Sequence, residues 1–319
     1  MPSPAHVVAV TGCGGFIGVR LTRRLLYLGA NVLGVDNFTE VVYPASHRRH
    51  LIEEFANCPN FRFLEASIDQ PVAHDFVRGA EVVINLAGLS GQGSSWDREA
   101  EYHYVNASSA AVLFETVART GTRRFIQAST SSVYGDVVDG NEDQDLKPCS
   151  PYGESKLAGE QMLKELSRTS ETDLVTARLF SVYGPGQRDD MGFARFVESA
   201  LANRPLTVHN RPGLARDFTY VDDVVEAIIA LIDRSVPAGE YNVASAEPIE
   251  LLVALNILDE LFERPLDRIL LATPPGMQSS TRANIDRLLS VSKWRPSTSL
   301  RQGLLSQIEF QRERLSSVP

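Results

Sequence analysis

Between residues 6 and 179 the chain alternates short apolar runs with longer amphipathic stretches. Runs such as Val7-Val8-Ala9-Val10 and Val82-Val83-Ile84 are β-branched and short, as buried strands are. They predict strands at 6–11, 31–35, 61–65, 81–86, 123–129 and 173–179. Apolar positions three and four apart predict helices at 17–28, 46–56, 99–119 and 152–168. Alternating strands and helices form βαβ units, because a parallel neighbour needs a crossover. The expectation is an α/β fold built on a parallel sheet. The run from Val82 to Gly88 ends in small residues, leaving room for a flat ligand at the carboxyl edge. After residue 180 the texture changes. Pro185, Pro205, Pro212, Pro237, Pro248, Pro265, Pro274 and Pro275 break the chain into shorter elements, which predicts a smaller, substrate-facing part.

The turn after the first strand reads Thr11-Gly-Cys-Gly-Gly-Phe-Ile-Gly18 and opens the first predicted helix. Gly12 suits the tight turn, Gly15 lets a pyrophosphate approach the backbone, and Gly18 lets helix and strand pack closely. Phosphates would then meet N–H groups at the positive end of a helix. A glycine pattern alone also fits an ordinary βα turn. Eighteen residues after Gly18, however, the run Asn31-Val32-Leu33-Gly34-Val35 ends in Asp36. A carboxylate there accepts both ribose hydroxyls of an adenosine and repels a 2′-phosphate, so the expected cofactor is NAD rather than NADP.

Composition narrows the partners. A formal net charge of −9 and the lack of a Lys/Arg run argue against nucleic acid. No stretch is long and apolar enough for a membrane helix. Residues 1–4 lead straight into the first strand, so no signal peptide is expected. Cys13, Cys58 and Cys149 are widely spaced, which suggests reduced thiols, no metal site and a cytoplasmic protein.

Tyr152 and Lys156 lie four apart at the start of a predicted helix, so their side chains share one face, and Ser150 can cap it. A free phenol titrates near pH 10, too high for a base at neutral pH. A lysine ammonium one turn away and a cationic nicotinamide ring would both stabilise the phenolate. Tyr152 could then take a hydroxyl proton while hydride leaves the same carbon. Such pairs are common on helices, but a hydroxyl cluster, Ser129-Thr130-Ser131-Ser132-Val133-Tyr134-Gly135, follows the strand at 123–129. Three segments therefore converge on one carboxyl edge.

At these segments the chain resembles the extended short-chain dehydrogenase/reductases, in particular the NAD-dependent nucleotide-sugar epimerases and dehydratases. The resemblance rests on the glycine turn, Asp36-Asn37, Leu86-Ala87-Gly88, Ser129 to Gly135, and Tyr152-Gly-Glu-Ser-Lys156. It continues through Arg178, Tyr183-Gly-Pro-Gly-Gln187, Arg216-Asp-Phe-Thr-Tyr-Val-Asp-Asp223 and Lys293-Trp-Arg-Pro296. It implies a Rossmann-type doubly wound parallel sheet with a smaller C-terminal substrate-binding domain. The NAD-binding domain would span 1–179, with a segment near 217–242 packing back onto it, and 180–319 would bind the nucleotide sugar. NAD would contact Gly12, Gly15, Phe16, Ile17, Gly18, Asp36, Asn37, Leu86, Ala87, Gly88, Tyr152 and Lys156. Tyr152 would be the base, Lys156 its electrostatic support and ribose ligand, and Thr130 the hydroxyl at the sugar C4 oxygen. Ser131, Ser132, Ser181, Gln187, Arg216 and Arg282 would bind substrate, the two arginines through its nucleotide and diphosphate. Helices equivalent to 99–119 and 152–168 pair between subunits in this family. Their surplus apolar positions (Val105, Ala110, Val112, Leu113; Leu157, Met162, Leu163, Leu166) imply a homodimer.

Departures from the family pattern bear on the reaction. Typical 4,6-dehydratases carry Asp-Glu after the catalytic threonine, where this chain has Ser131 and Ser132. Serine does not ionise near pH 7, which favours UDP-sugar epimerisation through a transient 4-keto sugar. Ser181 replaces a usual asparagine, Ser67 a usual aspartate near the adenine, and the segment from Leu89 to Trp96 is unlike a standard epimerase loop. The alternative is a dehydratase, for instance a 5,6-eliminating enzyme on an amino-sugar nucleotide, with Cys149 or Glu154 as acid or base. A non-catalytic NAD-binding regulator would be expected to lack Tyr152 or Lys156, and both are present.

Overall fold

The computed structural model describes residues 6–40, 45–136, 140–209, 213–273 and 276–316. Residues 1–4 and Pro212, Pro274 and Pro275 lie outside these. The first half runs β1 (Val7–Thr11), α1 (Phe16–Tyr27), β2 (Asn31–Asp36), α2 (Ala45–Glu53), β3 (Phe61–Glu65), α3 (Pro71–Val77) and β4 (Val82–Asn85). It continues with α4 (Gln92–Ser95), α5 (Glu99–His103), α6 (Ala110–Arg119), β5 (Arg124–Thr130), α7 (Pro151–Ser167) and β6 (Asp173–Leu179). The predicted helix at 99–119 is thus interrupted: α5 and α6 are joined by a π-helical stretch, Tyr104–Ser109. Helices α3 and α4 are additional to those expected.

The remainder comprises β7 (Val182–Tyr183), α8 (Gly192–Leu201), β8 (Leu206–His209), β9 (Ala215–Asp217), β10 (Thr219–Tyr220), α9 (Val221–Ile232) and β11 (Gly239–Val243). Then come β12 (Pro248–Glu250), α10 (Leu251–Leu261), β13 (Arg268–Leu271), α11 (Asp286–Val291) and α12 (Leu300–Ser316). The central sheet has seven strands in the order β3-β2-β1-β4-β5-β6-β11. Every pairing in it is parallel. Strand order reverses between β1 and β4, the switch point at which open α/β sheets bind ligands.

Side-chain alternation splits the core between the two faces of this Rossmann-like sheet. Val8 and Val10 pack with α1 and α9, whereas Ala9 packs with α3, α6 and α7. α9 buries Val221, Val224, Val225, Ile228 and Leu231. At roughly 1.5–3 kcal/mol for each such side chain, that stripe is enough to return the chain to the first sheet before β11 joins it. A separate cluster forms around Phe193, Val197, Leu206, Ala254, Leu258 and Leu304, under α8, α10 and α12. Polar side chains cross the sheet interior as well: Thr11 donates to Asn85 Oδ1 (2.5 Å), and Asn85 Nδ2 donates to Gln127 Oε1 (2.8 Å). This ladder ties β1, β4 and β5 together just below their carboxyl ends.

Candidate active site

The glycine turn brings backbone, rather than side chains, to the switch point. Gly12 has φ +67°, and a Cβ there would lie 2.8 Å from the backbone of Leu86 and Ala87. At Gly18 a Cβ would collide with the carbonyl oxygen of Gly12. Gly15 caps α1 without a side-chain hydrogen bond, leaving the first-turn amides at Phe16 and Ile17 uncapped by it. Asp36 ends β2 beside this turn, with Oδ2 accepting from Gly14 N (3.0 Å) and Oδ1 from Phe38 N (2.7 Å). Burial raises its pKa, against the opposing pull of these amides and of the Arg48 guanidinium 3.4 Å away. Asn37 donates to Ser67 Oγ (3.0 Å), so the serine at the usual aspartate position supports the turn after β2.

Beyond β4, Ala87 N and Leu86 N bond to Thr11, and Leu89 is pinned at both backbone groups by Asn106, its N–H at 2.8 Å and its carbonyl at 2.9 Å. Asn106 belongs to the π-helical stretch, and a Cβ at Gly88 would lie 2.8 Å from its Oδ1 and 3.0 Å from Lys156 Nζ. The insertion in the helix thus aims an amide at the end of β4. Sequence reasoning missed this residue; a lone asparagine on the buried side of an amphipathic run was its signal.

α7 starts with Pro151 in its first turn, and the Ser150 hydroxyl accepts from Gly153 N (3.2 Å). The helix then presents Tyr152, Lys156 and Glu160 one turn apart along one side. Tyr152 is partly buried, edge-on to Tyr102 with ring centroids 6.2 Å apart. Burial pushes its phenol pKa up, while a hydrogen bond with Thr130 and the charge of Arg188 push it down. Lys156 is buried and donates to the Ala128 carbonyl (3.1 Å). Burial drives its ammonium pKa down to about 8, and Glu160 opposes the shift. Thr130 donates to Ser132 Oγ (3.3 Å) and caps the short 3₁₀ turn Ser131–Tyr134; Gln92 Nε2 reaches the same Ser132 Oγ (3.2 Å).

The later segments divide. Ser181 follows β6 with φ +30°, an uncommon conformation for a side-chain-bearing residue. Gln187 is not directed to this cluster: its amide donates to Val182 O and accepts from Ala194 N and Gln307 Nε2. The next residue, Arg188, is nearly buried, donates to Ser90 Oγ and holds Asp190 bidentately at 2.9 Å. It was also missed, because its burial depends on Ser90, far away in the sequence. Arg216 donates to Gln278 O (2.6 Å), and Gln278 Nε2 donates to Ser131 O (3.3 Å), linking that arginine to the hydroxyl cluster. Arg282 is exposed, on the strand-like segment whose carbonyl accepts from Gly140 N (2.8 Å). Cys149 donates its thiol proton to Gly276 O (3.2 Å). Glu154 is exposed and groups with Glu99 and His103, their ligand-type atoms all within 4.8 Å.

Residues 8–244 match the profile of the NAD dependent epimerase/dehydratase family. The chain belongs to that family. It is 31% identical to an uncharacterised UDP-glucose epimerase of Bacillus subtilis (strain 168) over 310 residues, covering 95% of this chain and 97% of the relative. Its fold matches the crystal structure of UDP-glucuronic acid 4-epimerase from Bacillus cereus, bound to UDP-glucuronic acid and NAD, with TM-score 0.92 and 30% identity, covering 97% and 99% of the two chains. It also matches an NAD-dependent NDP-hexosamine 5,6-dehydratase of tunicamycin biosynthesis, with TM-score 0.86 and 25% identity, covering 97% and 98%. The protein is therefore an NAD-dependent enzyme. The uncapped amides of α1 suit a pyrophosphate, and the acceptor oxygens of Asp36 suit a ribose. The expected NAD dependence and nucleotide-sugar epimerase/dehydratase chemistry are borne out. Among the described residues no helix is long and apolar enough to cross a membrane.

Proposed function

We propose that the protein epimerises a UDP-sugar at C4, with UDP-glucuronate the substrate that fits best. The observation that carries the choice of sugar is Arg188. It is a nearly buried guanidinium whose charge acts on the Tyr152 phenol and whose carboxylate partner, Asp190, is exposed, so an anionic group on the reacting sugar would be favoured there by sharing the guanidinium with Asp190. The Bacillus cereus neighbour, crystallised with UDP-glucuronic acid, supports the same reading.

Tyr152 accepts the proton of the C4 hydroxyl and later returns one to the C4 oxygen, after the keto sugar has turned over. NAD, when bound, would supply the hydride acceptor for C4 and the source of the hydride returned to its opposite face. Thr130, beside Tyr152, orients the C4 oxygen, and the Lys156 ammonium stabilises the phenolate and holds the nicotinamide ribose. Ser131 and Ser132 offer hydroxyls that can donate or accept, which suits a sugar that must be held in two orientations. Gly12, Gly15, Phe16, Ile17 and Gly18 cradle the pyrophosphate, Asp36 and Asn37 the adenosine, and Leu86, Ala87 and Gly88 line the nicotinamide side. Arg216 and Arg282 take the nucleotide and diphosphate, with Ser181 beside the sugar. Gln187 is better read as a brace between α8 and α12.

Dehydration is the second reading, favoured by the 5,6-dehydratase neighbour. It needs an acid–base pair at C5–C6. The Cys149 thiol donates to the Gly276 carbonyl, and Glu154 is exposed beside Glu99 and His103, which makes both poor candidates. Incubation with UDP-glucuronate, UDP-glucose and UDP-N-acetylglucosamine, followed by mass spectrometry and proton NMR, decides the matter. The expected result is an equal-mass C4 epimer from UDP-glucuronate, whereas a product lighter by one water would establish dehydration.

The reading includes a homodimer in the cytoplasm, where three free thiols are compatible with reducing conditions. Ala110, Leu113 and Leu163 are buried in the chain's own core, but Val112 and Met162 are each 42% exposed and Tyr104 54%. These three supply an apolar patch on α6, α7 and the π-helical stretch for a second copy. Light scattering should give twice 35.1 kDa; a monomer at micromolar concentration would exclude the dimer.

A further inference from the structure

Glu160 has no part in the chemistry above, yet it is among the most constrained side chains in the molecule. It is buried on α7 one turn beyond Lys156, accepts from Arg178 Nη2 (2.7 Å) and Nε (3.2 Å), and takes the Ser129 hydroxyl proton in a short hydrogen bond. Ser129 is the residue between Ala128, whose carbonyl accepts from Lys156, and Thr130, which meets Tyr152. Arg178 is held in turn by Tyr134 Oη (2.9 Å) and the Glu142 carbonyl (3.2 Å), and Tyr134 donates to Asn242 Oδ1 (2.7 Å). A buried ion pair contributes little net stability against apolar residues of the same shape, so a structural role alone is a weak account of it. Its position beside the catalytic helix face is more informative.

We propose that Glu160 is a positioning residue for the reaction: fixed by Arg178 and Ser129, it is the counter-charge that holds the Lys156 ammonium beside the Tyr152 phenol. The charged and titratable groups around this face are few. α7 supplies Tyr152, Glu154 and Glu160, β6 Arg178, the 3₁₀ turn Tyr134, α5 Tyr102 together with Glu99 and His103 beside Glu154, and the segment after β7 Arg188; the π-helical stretch contributes the Asn106 amide. Arg178, Tyr134 and Glu142 stand on the Glu160 side, with Arg287 3.8 Å from Glu142. Glu160 is the carboxylate in this set whose charge acts on Lys156. Burial alone pushes Lys156 towards the neutral amine, and a neutral amine cannot stabilise a phenolate. The ammonium is present below the Lys156 midpoint and lost above it. Removing Glu160 therefore moves the alkaline limb of the activity profile to lower pH.

The inference rests on Lys156 supporting Tyr152, but its first test does not. The chain has only four lysines, Lys147, Lys156, Lys164 and Lys293, so ¹³Cε-lysine NMR resolves each titration, with Lys156→Arg identifying the signal. In the Glu160→Gln variant the Lys156 midpoint should fall by at least one pH unit, and Glu160→Asp should restore most of it. The Glu160→Gln/Arg178→Gln double variant leaves no Arg178 guanidinium stranded without its carboxylate, so it covers the case in which the single variant does not fold; there too the midpoint should fall, by less, because a cation and an anion leave together. An unchanged midpoint in the folded variants overturns the proposal. If the midpoint moves and the alkaline limb of kcat does not, Glu160 still sets Lys156, and it is the role of Lys156 in the reaction that fails.

Discussion

Two regions of this molecule bury polar side chains to opposite ends. At the carboxyl edge of the sheet, Tyr152, Thr130 and Lys156 contact one another's neighbours sparingly, and the pKa values of Tyr152 and Lys156 respond to burial and nearby charge. In the later segments, buried carboxylates are saturated by their own chain. Asp217 accepts from Ser245 N and Oγ, Ala246 N and Ala283 N. Asp223 accepts from Ser297 N and Oγ and from Thr298 N. A buried acid surrounded by amides fastens a loop, whereas a sparsely partnered group among other titratable groups is available to a ligand. Two neighbours in sequence fall on either side of this division: Arg188, paired with Asp190, has its charge felt at the phenol, whereas Gln187 is a brace in the second core.

Substitutions on the two sides should separate activity from stability. Tyr152→Phe should leave the melting temperature nearly unchanged and lower kcat by about 10²–10⁴-fold, the usual contribution of a positioned acid–base group. Residual activity above a tenth of the unmutated rate would remove Tyr152 from the mechanism. Asp223→Ala should do the reverse. It strands the amides of Ser297 and Thr298, at a cost of about 2–4 kcal/mol in urea unfolding. Its kcat, measured well below the melting transition, should stay within a few-fold. The smallest effect is expected at Asp36→Ala, which should weaken NAD by about 1–3 kcal/mol, read by calorimetry on the cofactor-stripped protein. NADP binding more tightly than NAD to the unmutated protein would contradict the assignment of Asp36.

What could be read from the chain follows the same division. Strands β1 to β6 of the sheet were legible because β-branched runs bounded by turns have few other uses, and a one-residue slip would have exchanged the two apolar faces; β11, the seventh, was not among the expected strands. The glycine turn, Asp36, Thr130, Tyr152 and Lys156 were legible because local spacing places each on an element end. α3 and α4 were not, being too short for a periodic signal. The π-helical stretch was hidden because its residues continue an amphipathic pattern with only Asn106 out of character. Arg188 and Glu160 were hidden for another reason. On sequence each is an ordinary surface charge, and only long-range partners, Ser90 for one and Arg178 for the other, make them buried groups. Strands of two to four residues after β6 carried no period at all.

The central claim is that hydrogen leaves C4 of the sugar and returns to the same carbon without exchange with water. The most direct measurement is the conversion of UDP-glucuronate in D₂O, followed by proton NMR and mass spectrometry of the nucleotide-sugar product. The account predicts a C4 epimer of unchanged mass, with hydrogen fully retained at C4 and at C5. Deuterium at either carbon, or a product lighter by one water, would contradict it.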